Sequence, residues 1–319
     1  MTNAIVVGAG IIGCAIAREL AVRGVGCIVF DPRPVAGGAT RASAGMLAPY
    51  VEAHERGPLL DLAVASLALY DDWIAAVHRE SAIAVEYRRI GTLETAANRA
   101  VSEHGYVAAE RLAHALAAAA RRHGAQFIRA RVERIAHDGA ALTVRTATES
   151  LDASHVVVAA GAWSGAIAGI RIPPLRPVRG QLLELAWKGA PLSTIIWGPR
   201  CYVVPRLDGT VLVGATVEEA GFDERVTAQG IHSLLDAVCD LLPAARDATF
   251  LGARAGLRPA TPDELPVIGP DPATPGLIHA SGHYRNGVLL APVTAKIVAD
   301  LIIDGRTDIP LDAFRPDRF

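Results

Sequence analysis

Three glycines and an acid carry the first chemical signal in this chain. Gly8, Gly10 and Gly13 form a Gly-x-Gly-x-x-Gly frame directly after the apolar run 5–7 and directly before a helical pattern of Ile12, Ile16 and Leu20. Strand, glycine loop and helix in that order make a phosphate cradle. Gly8 permits the tight turn, Gly10 lets backbone approach a pyrophosphate, and Gly13 lets helix and strand pack closely. The N–H groups at the helix start, with Ile11 and Ile12 among them, favour negative charge there together with the helix dipole. Asp31 closes a second apolar run, Cys27–Phe30. It lies about 20 residues on, where a carboxylate bonds a ribose hydroxyl. The pattern predicts a bound dinucleotide and leaves open whether it is FAD or NAD.

Other chemistry-bearing residues are dispersed. His54, His78, His104, His114, His123 and His137 are scattered, and no His-Glu-x-x-His motif occurs. His279 and His283 are four apart but straddle a strand end and a glycine loop. That spacing aligns two ligands only on a helix, so no metal site is expected. Glu218-Glu219 and Asp263-Glu264 read as solvated turns. Cys14, Cys27, Cys201 and Cys239 form no Cys-x-x-Cys pair and are expected as reduced thiols in a reducing compartment. Small residues crowd positions 37–46, where Thr40 and Ser43 offer hydroxyls. Small side chains let the backbone lie flat against a ligand, and the position directly after the Asp31 strand favours cofactor contact over a flexible surface loop.

The elements that must position these groups follow from periodicity. Helices are expected over 59–77 (Leu60, Val64, Leu67, Ile74), 109–123 (Leu112, Leu116, Ala119) and 231–242. Strands are expected over 126–132, over 142–148 after a turn at Asp138-Gly139, and over 155–160 before Gly161. From Pro173 onward short runs at 181–185, 201–205 and 210–213 suggest an antiparallel sheet. The opening style returns at the end: an apolar strand at 277–280, a glycine loop at 281–287 and a helix from 288 to 303. The 319 residues, 51% hydrophobic and 20% charged, suffice for two domains with sizeable cores. A net charge of -2 argues against nucleic-acid binding. The apolar stretch 288–303 contains Lys296 and Asp300 and reads as a buried helix, not a membrane span. Ala4 already begins a strand, so no signal peptide is expected, and the expected location is the cytoplasm. The fold class expected is α/β, a FAD/NAD(P)-binding Rossmann-like domain with a second, antiparallel-sheet α+β substrate domain.

One set of motifs goes further. Gly-Ala-Gly-Ile-Ile-Gly with Asp31, Ser43-Ala44-Gly45-Met46-Leu47, Gly256-Leu257-Arg258-Pro259, and the run from Gly282 through His283, Tyr284, Arg285, Asn286, Gly287, Val288 and Leu289 to Pro292 resembles the glycine oxidase branch of the D-amino-acid-oxidase-like flavoproteins. That branch is known from thiamine biosynthesis. The resemblance runs from Ala4 to the Ala313-Phe314-Arg315 tail and is most specific at the two ends. It implies FAD held without a covalent link, because the position where related sarcosine oxidases carry a tethering cysteine reads Arg254-Ala255-Gly256-Leu257 here. By the same resemblance Gly8 to Gly13 hold the pyrophosphate, and Asp31, followed by Pro32, holds the adenosine ribose. Ala39, Thr40, Ala44, Gly45 and Met46 line the path to the flavin. Val132 holds adenine through its backbone, Gly161 contacts the cofactor, and His283 to Leu289 wrap the ring. Arg258 pairs the substrate carboxylate as a bidentate fork. Tyr202 bonds it from the second domain, and Arg285 reaches the amine through its carbonyl. Without the resemblance, Arg258 reads as a salt bridge to Asp263 or Glu264 and Tyr202 as an ordinary strand tyrosine.

The implied domains are 1–57, 106–170 and 250–319 for FAD, with 58–105 and 171–249 for substrate. The implied reaction is oxidation of a small amino acid by O2, with glycine giving glyoxylate, ammonia and hydrogen peroxide. No side-chain acid or base is required, and a homo-oligomer fits the family. The alternatives are a D-amino acid or sarcosine oxidase, a dehydrogenase using another electron acceptor, and a flavin-binding protein without turnover. The segment between Glu94 and Tyr106 is shorter than the family pattern, which bears on the wall of the substrate pocket.

Overall fold

The computed structural model describes residues 2–52, 56–137, 139 and 141–319; His54 and the turn residue Asp138 lie outside the described residues. Its first sheet runs Val267–Pro270, Leu277–Ser281, Ser150–Val158, Thr2–Val7, Cys27–Phe30, Gln126–Ile128. The last five pair in parallel, and Val267–Pro270 closes one edge antiparallel. A hairpin, Arg134–His137 with Leu142–Arg145, is added antiparallel to Ser150–Val158. The opening strand is apolar on both faces because both faces are covered, the usual state of a parallel strand. Ala4 and Val6 join one core cluster and Ile5 and Val7 the other, as the alternation of strand side chains requires.

Helices Ile11–Val22, Pro58–Ser81, Ala109–Arg122 and Ala291–Ile303 fill the first of these clusters. Leu112 and Leu116 are completely buried there beside Ile16 and Leu20. Truncating any one to alanine costs about 2–5 kcal/mol. The hairpin covers the opposite face with Ile135, Leu142 and Val144.

The helix Pro58–Ser81 falls within a stretch that the motifs place in the substrate domain. Its buried side chains Leu62, Leu67, Tyr70 and Ile74 nevertheless pack with the helices of the parallel sheet. It also fixes the final glycine loop. Ser66 Oγ donates to the Leu289 carbonyl at 2.6 Å, and the Tyr70 hydroxyl donates to the Val288 carbonyl.

The second sheet has seven strands in the order Thr249–Ala260, Arg176–Ala186, Thr210–Gly214, Tyr202–Pro205, Ile195–Trp197, Thr92–Glu94, Arg99–Val101. Pairing is antiparallel except between Ile195–Trp197 and Thr92–Glu94. Helix Ala228–Leu241 covers one face with Leu234, Ala237 and Val238 against Leu183, Val203 and Val213. The helix starts on Thr227, whose hydroxyl accepts from Gly230 N, an ordinary N-cap. On the other face Leu182, Val204 and Leu212 cluster with Ala44 and Tyr106.

Several elements differ from the sequence reading, among them the strand expected over 142–148, which ends at Arg145, and the one expected over 155–160, which spans Ser150–Val158. The strand expected over 126–132 ends at Ile128, and the last helix begins at Ala291 after a series of turns. The twelve-residue strand Thr249–Ala260 has no counterpart in the periodicity, because Gly252, Gly256 and Pro259 interrupt its pattern. Among the described residues no helix is long and apolar enough to cross a membrane. All four cysteines are free.

Candidate active site

The glycine loop is held open by interactions from outside it. Gly8 has φ +115°, and a methyl group there would stand 2.3 Å from the Ala159 carbonyl oxygen on the neighbouring strand end. One on Gly13 would stand 1.8 Å from the Gly8 carbonyl oxygen. Gly13 therefore lets the helix cross close to the strand and does not line the cleft. The Asp31 carboxylate accepts from Ala9 N at 2.7 Å and from Arg33 N at 2.8 Å. Thr40 Oγ1 accepts from Ile11 N at 3.0 Å, at the first turn of the helix. Strand end, glycine loop and the 39–46 segment are thus tied together.

A single continuous cleft runs from this loop to the second sheet. Gly8, Gly10, Ile11, Ile12, Asp31, Pro32, Ala39, Thr40, Ala44, Gly45, Met46, Val132 and Gly161 line it. So do His283, Tyr284, Arg285, Asn286, Gly287 and Val288, and at the far end Tyr202 and Arg258. Of the residues singled out from sequence, Gly13 and Leu289 are not among its lining; Leu289 instead offers its carbonyl to Ser66. Arg33, Arg131, Trp163, Ser281 and Ala215 line the cleft without having been foreseen. Arg33, two residues past Asp31, was within reach of sequence reasoning. Arg131, Trp163 and Ser281 lie in or beside segments already assigned to the cofactor, and only Ala215 belongs to a segment that the fold alone brings to the cleft.

The second sheet delivers the far end. Arg258 lies on Thr249–Ala260, and its guanidinium sits over Gly180 of the paired strand, where a methyl group would stand 2.2 Å from Nη2. Arg258 Nη1 donates to the Thr216 carbonyl at 3.0 Å. Asp263, an alternative partner on sequence grounds, is engaged by Arg318 at 2.8 Å. Tyr202 is likewise accommodated by Gly214, its cross-strand neighbour, where a methyl group would stand 2.3 Å from the hydroxyl. Gly256 faces the 39–42 turn, with Ala42 Cβ 2.9 Å from where its own Cβ would be. Three glycines of the sheet therefore make room for an arginine, a tyrosine and the cofactor-side loop. Trp197 stacks on Tyr202 with centroids 5.7 Å apart and planes 18° from parallel. The Arg285 guanidinium lies 5.7 Å from the Trp197 ring centroid.

Near the Asp31 end the two sheets are joined by side chains. The Arg33 guanidinium lies 4.0 Å over the Trp163 ring and pairs with Glu224 at 2.8 Å. Phe222 packs on Trp163 at 6.2 Å. Arg179 anchors that segment from behind, through Glu218 and Asp223.

Titratable groups in the cleft are few. Asp31 is the one acid and His283 the one histidine among its described lining residues. His283 is buried and shares a 3.0 Å hydrogen bond with Thr294 Oγ1; desolvation pulls its pKa down to about 3, so the ring is neutral. His279 is 3.0 Å from Asp271, and burial lowers its pKa against the pull of that carboxylate. The two histidines thus have separate partners. Among the described residues no three metal-ligating side chains gather.

These features fit a long dinucleotide. One cleft joins the glycine loop and the Asp31 carboxylate to a cationic end with an aromatic hydroxyl. The glycines leave the backbone bare along the way.

Comparison with known proteins agrees. The family described as DAO, FAD dependent oxidoreductase, matches residues 3–104 and 100–301. The bifunctional ThiO/ThiG protein of Synechocystis sp. is 34% identical over 358 positions, covering 100% of this chain and 54% of that protein, so the chain spans about half its length. A glycine oxidase of Bacillus subtilis is 30% identical, with 99% and 97% of the two chains covered. The crystal structure of glycine oxidase from Geobacillus kaustophilus superposes with a TM-score of 0.95 at 30% identity over 99% of this chain and 98% of the other. With the glycine loop, the cleft and the second sheet all in place, the chain belongs to the DAO family of FAD-dependent oxidoreductases.

Proposed function

We propose that this enzyme is an amino acid oxidase acting on glycine: glycine, O2 and water give glyoxylate, ammonia and hydrogen peroxide. The observation that carries this reading is the placement of Arg258 and Tyr202 at the end of the cleft opposite Asp31. A guanidinium and a phenol lining the same cleft suit a carboxylate, which Arg258 can grip with two parallel N–H donors. The relatives named glycine oxidase support the choice of substrate.

FAD would lie with its pyrophosphate on the Gly8–Gly10 loop and its ribose at Asp31. Its ring would lie between Ala44 to Met46 and His283 to Val288, without a covalent bond, since Arg254 to Leu257 include no cysteine. Bound there, FAD would supply the two-electron oxidant, with O2 as the final acceptor. The chain's own task is orientation. Arg258 and Tyr202 hold the carboxylate, the Arg285 carbonyl receives the amine, and Cα is thereby presented to the ring, the kind of positioning worth several orders of magnitude in rate. A substrate bound as its neutral amine requires no side-chain base, in keeping with a cleft whose described lining holds Asp31 as its one acid and His283 as its one histidine. A role in supplying thiamine thiazole synthesis is part of this proposal; it rests on the family resemblance, and similarity to the bifunctional ThiO/ThiG protein supports it.

Anaerobic mixing tests the proposal. Glycine should bleach the oxidised flavin, and peroxide should form when air is admitted. A flavin that stays yellow with glycine, sarcosine and small D-amino acids alike would overturn it.

A further inference from the structure

Trp197 stands out because it links the substrate end of the cleft to the segment in which this chain departs from its relatives. The family pattern matches in two stretches that meet at residues 100–104, and the alignment with the Synechocystis protein spans 358 positions against the 319 residues present here. The relative therefore carries residues with no counterpart in this chain. Next to where the two stretches meet, the chain makes a short hairpin, Thr92–Glu94 with Arg99–Val101, at the edge of the second sheet.

The hairpin is fastened to Trp197. Thr95 donates to the Trp197 carbonyl from its backbone N at 2.9 Å and from Oγ1 at 3.2 Å. Trp197 also pairs in register with Glu94 on one side and Tyr202 on the other. Its half-buried ring does not line the cleft. One relationship places it against Tyr202, nearly parallel at 5.7 Å; the other places the Arg285 cation 5.7 Å from its centroid. Gly214 flanks Tyr202 on one neighbouring strand without a side chain, and the Trp197 ring packs on the tyrosine from the strand on the other side.

We propose that Trp197 is a positioning residue for substrate binding, with its ring holding Tyr202 and Arg285 in place and the shortened hairpin holding the ring. This rests on the amino acid oxidase reading above. Each such stack shifts an equilibrium by about 3- to 10-fold.

The test uses the purified FAD-loaded enzyme and two variants, Trp197→Leu and Trp197→Phe. Wild type is first shown to be bleached by glycine or another small amino acid; failure there overturns the oxidase reading and this proposal with it. Given a working wild type, Trp197→Leu should raise KM about tenfold. Its flavin content should be full and its kcat should change less than KM. Trp197→Phe, which keeps a ring, should restore most of the affinity. A Leu variant with wild-type KM, a loss confined to kcat, or a Phe variant as poor as Leu would each overturn the proposal while leaving the oxidase reading intact. If Trp197→Leu yields no folded flavoprotein, Thr95→Val replaces it. That variant loosens the same carbonyl from the edge of the sheet, and the same rise in KM is expected at smaller size; no rise overturns the proposal.

Discussion

Gly180 and Arg258 share one space. The Arg258 guanidinium occupies the volume that any side chain at Gly180 would need, with Nη2 2.2 Å from the missing Cβ. The two face each other across paired strands, Gly180 opposite Gly256 and Arg258 two residues further along. A glycine in a strand interior is a weak choice for the strand itself, and here it follows from the arginine's need for room.

Gly180→Ala should therefore act as an indirect Arg258 variant. The displaced guanidinium loses its bond to the Thr216 carbonyl and its aim into the cleft. A charge-assisted contact of this kind contributes about 1.5–3 kcal/mol, so KM for glycine should rise about 10- to 100-fold with FAD retained. Arg258→Lys should be comparably poor, because an ammonium lacks the planar fork. Steady-state kinetics decides; a Gly180→Ala enzyme with normal KM would show that Arg258 does not bind substrate.

Asp31 has a double task, holding Ala9 N and Arg33 N while facing the cleft. Asp31→Asn keeps the shape but removes the charge and one acceptor. FAD affinity should fall about 10- to 100-fold, measured by flavin fluorescence on reconstitution of the apoprotein. Unchanged affinity would mean that the ribose is held elsewhere.

The Arg33–Trp163–Glu224 contact should slow cofactor release, because it ties the first sheet's loop to the second sheet beside the cleft. Both charged groups are partly exposed, so the ion pair contributes only about 0.2–1 kcal/mol and the cation–π contact about 0.5–1 kcal/mol. Glu224→Gln should speed FAD dissociation a few-fold, and high salt should bring wild type toward the variant. Identical release rates at low salt would dismiss the idea.

Acid stability should reflect two buried histidines. Burial lowers the pKa of His283 from 6.5 to about 3 and that of His104 from 6.5 to about 4. The unfolded chain thus binds protons that the folded chain refuses. Their contribution is fully present above pH 6.5 and is lost progressively as the pH falls from there to the folded values. Denaturant unfolding at pH 7 and pH 5 should show the loss. His283→Asn, which can still bond Thr294, should reduce the pH dependence in this window; an unaltered slope would place the protonation elsewhere.

Much of this site was legible in the chain because its parts are local. Strand 2–7, the glycine loop, helix 11–22 and Asp31 follow one another with little chain between them, and the loop 283–288 sits between a strand and a helix in the same way. Residue type and spacing are enough to recognise such units, and they pointed to the dinucleotide end of the cleft, whereas Arg258 and Arg285 came only with the family resemblance. Sequence alone could not show why Gly180, Gly214 and Gly256 are glycines. The reason lies in side chains opposite them across strand pairs, and pairing register is set by tertiary packing. The interrupted pattern of Thr249–Ala260 hid a strand that exists because Arg176–Ala186 pairs with it along most of its length. Pro58–Ser81 has a clear helical period, but that period does not say which core receives the apolar face; Ser66 and Tyr70 reach carbonyls more than two hundred residues away. Arg33 and Glu224, and Trp197 with Arg285, are similarly remote in the chain. Residue type and spacing suffice to define which local units form and which ligand chemistry they offer. The tertiary structure decided which distant side chains support one another, because that support depends on closing long loops and choosing a strand register, and neither is written in the spacing of neighbouring residues.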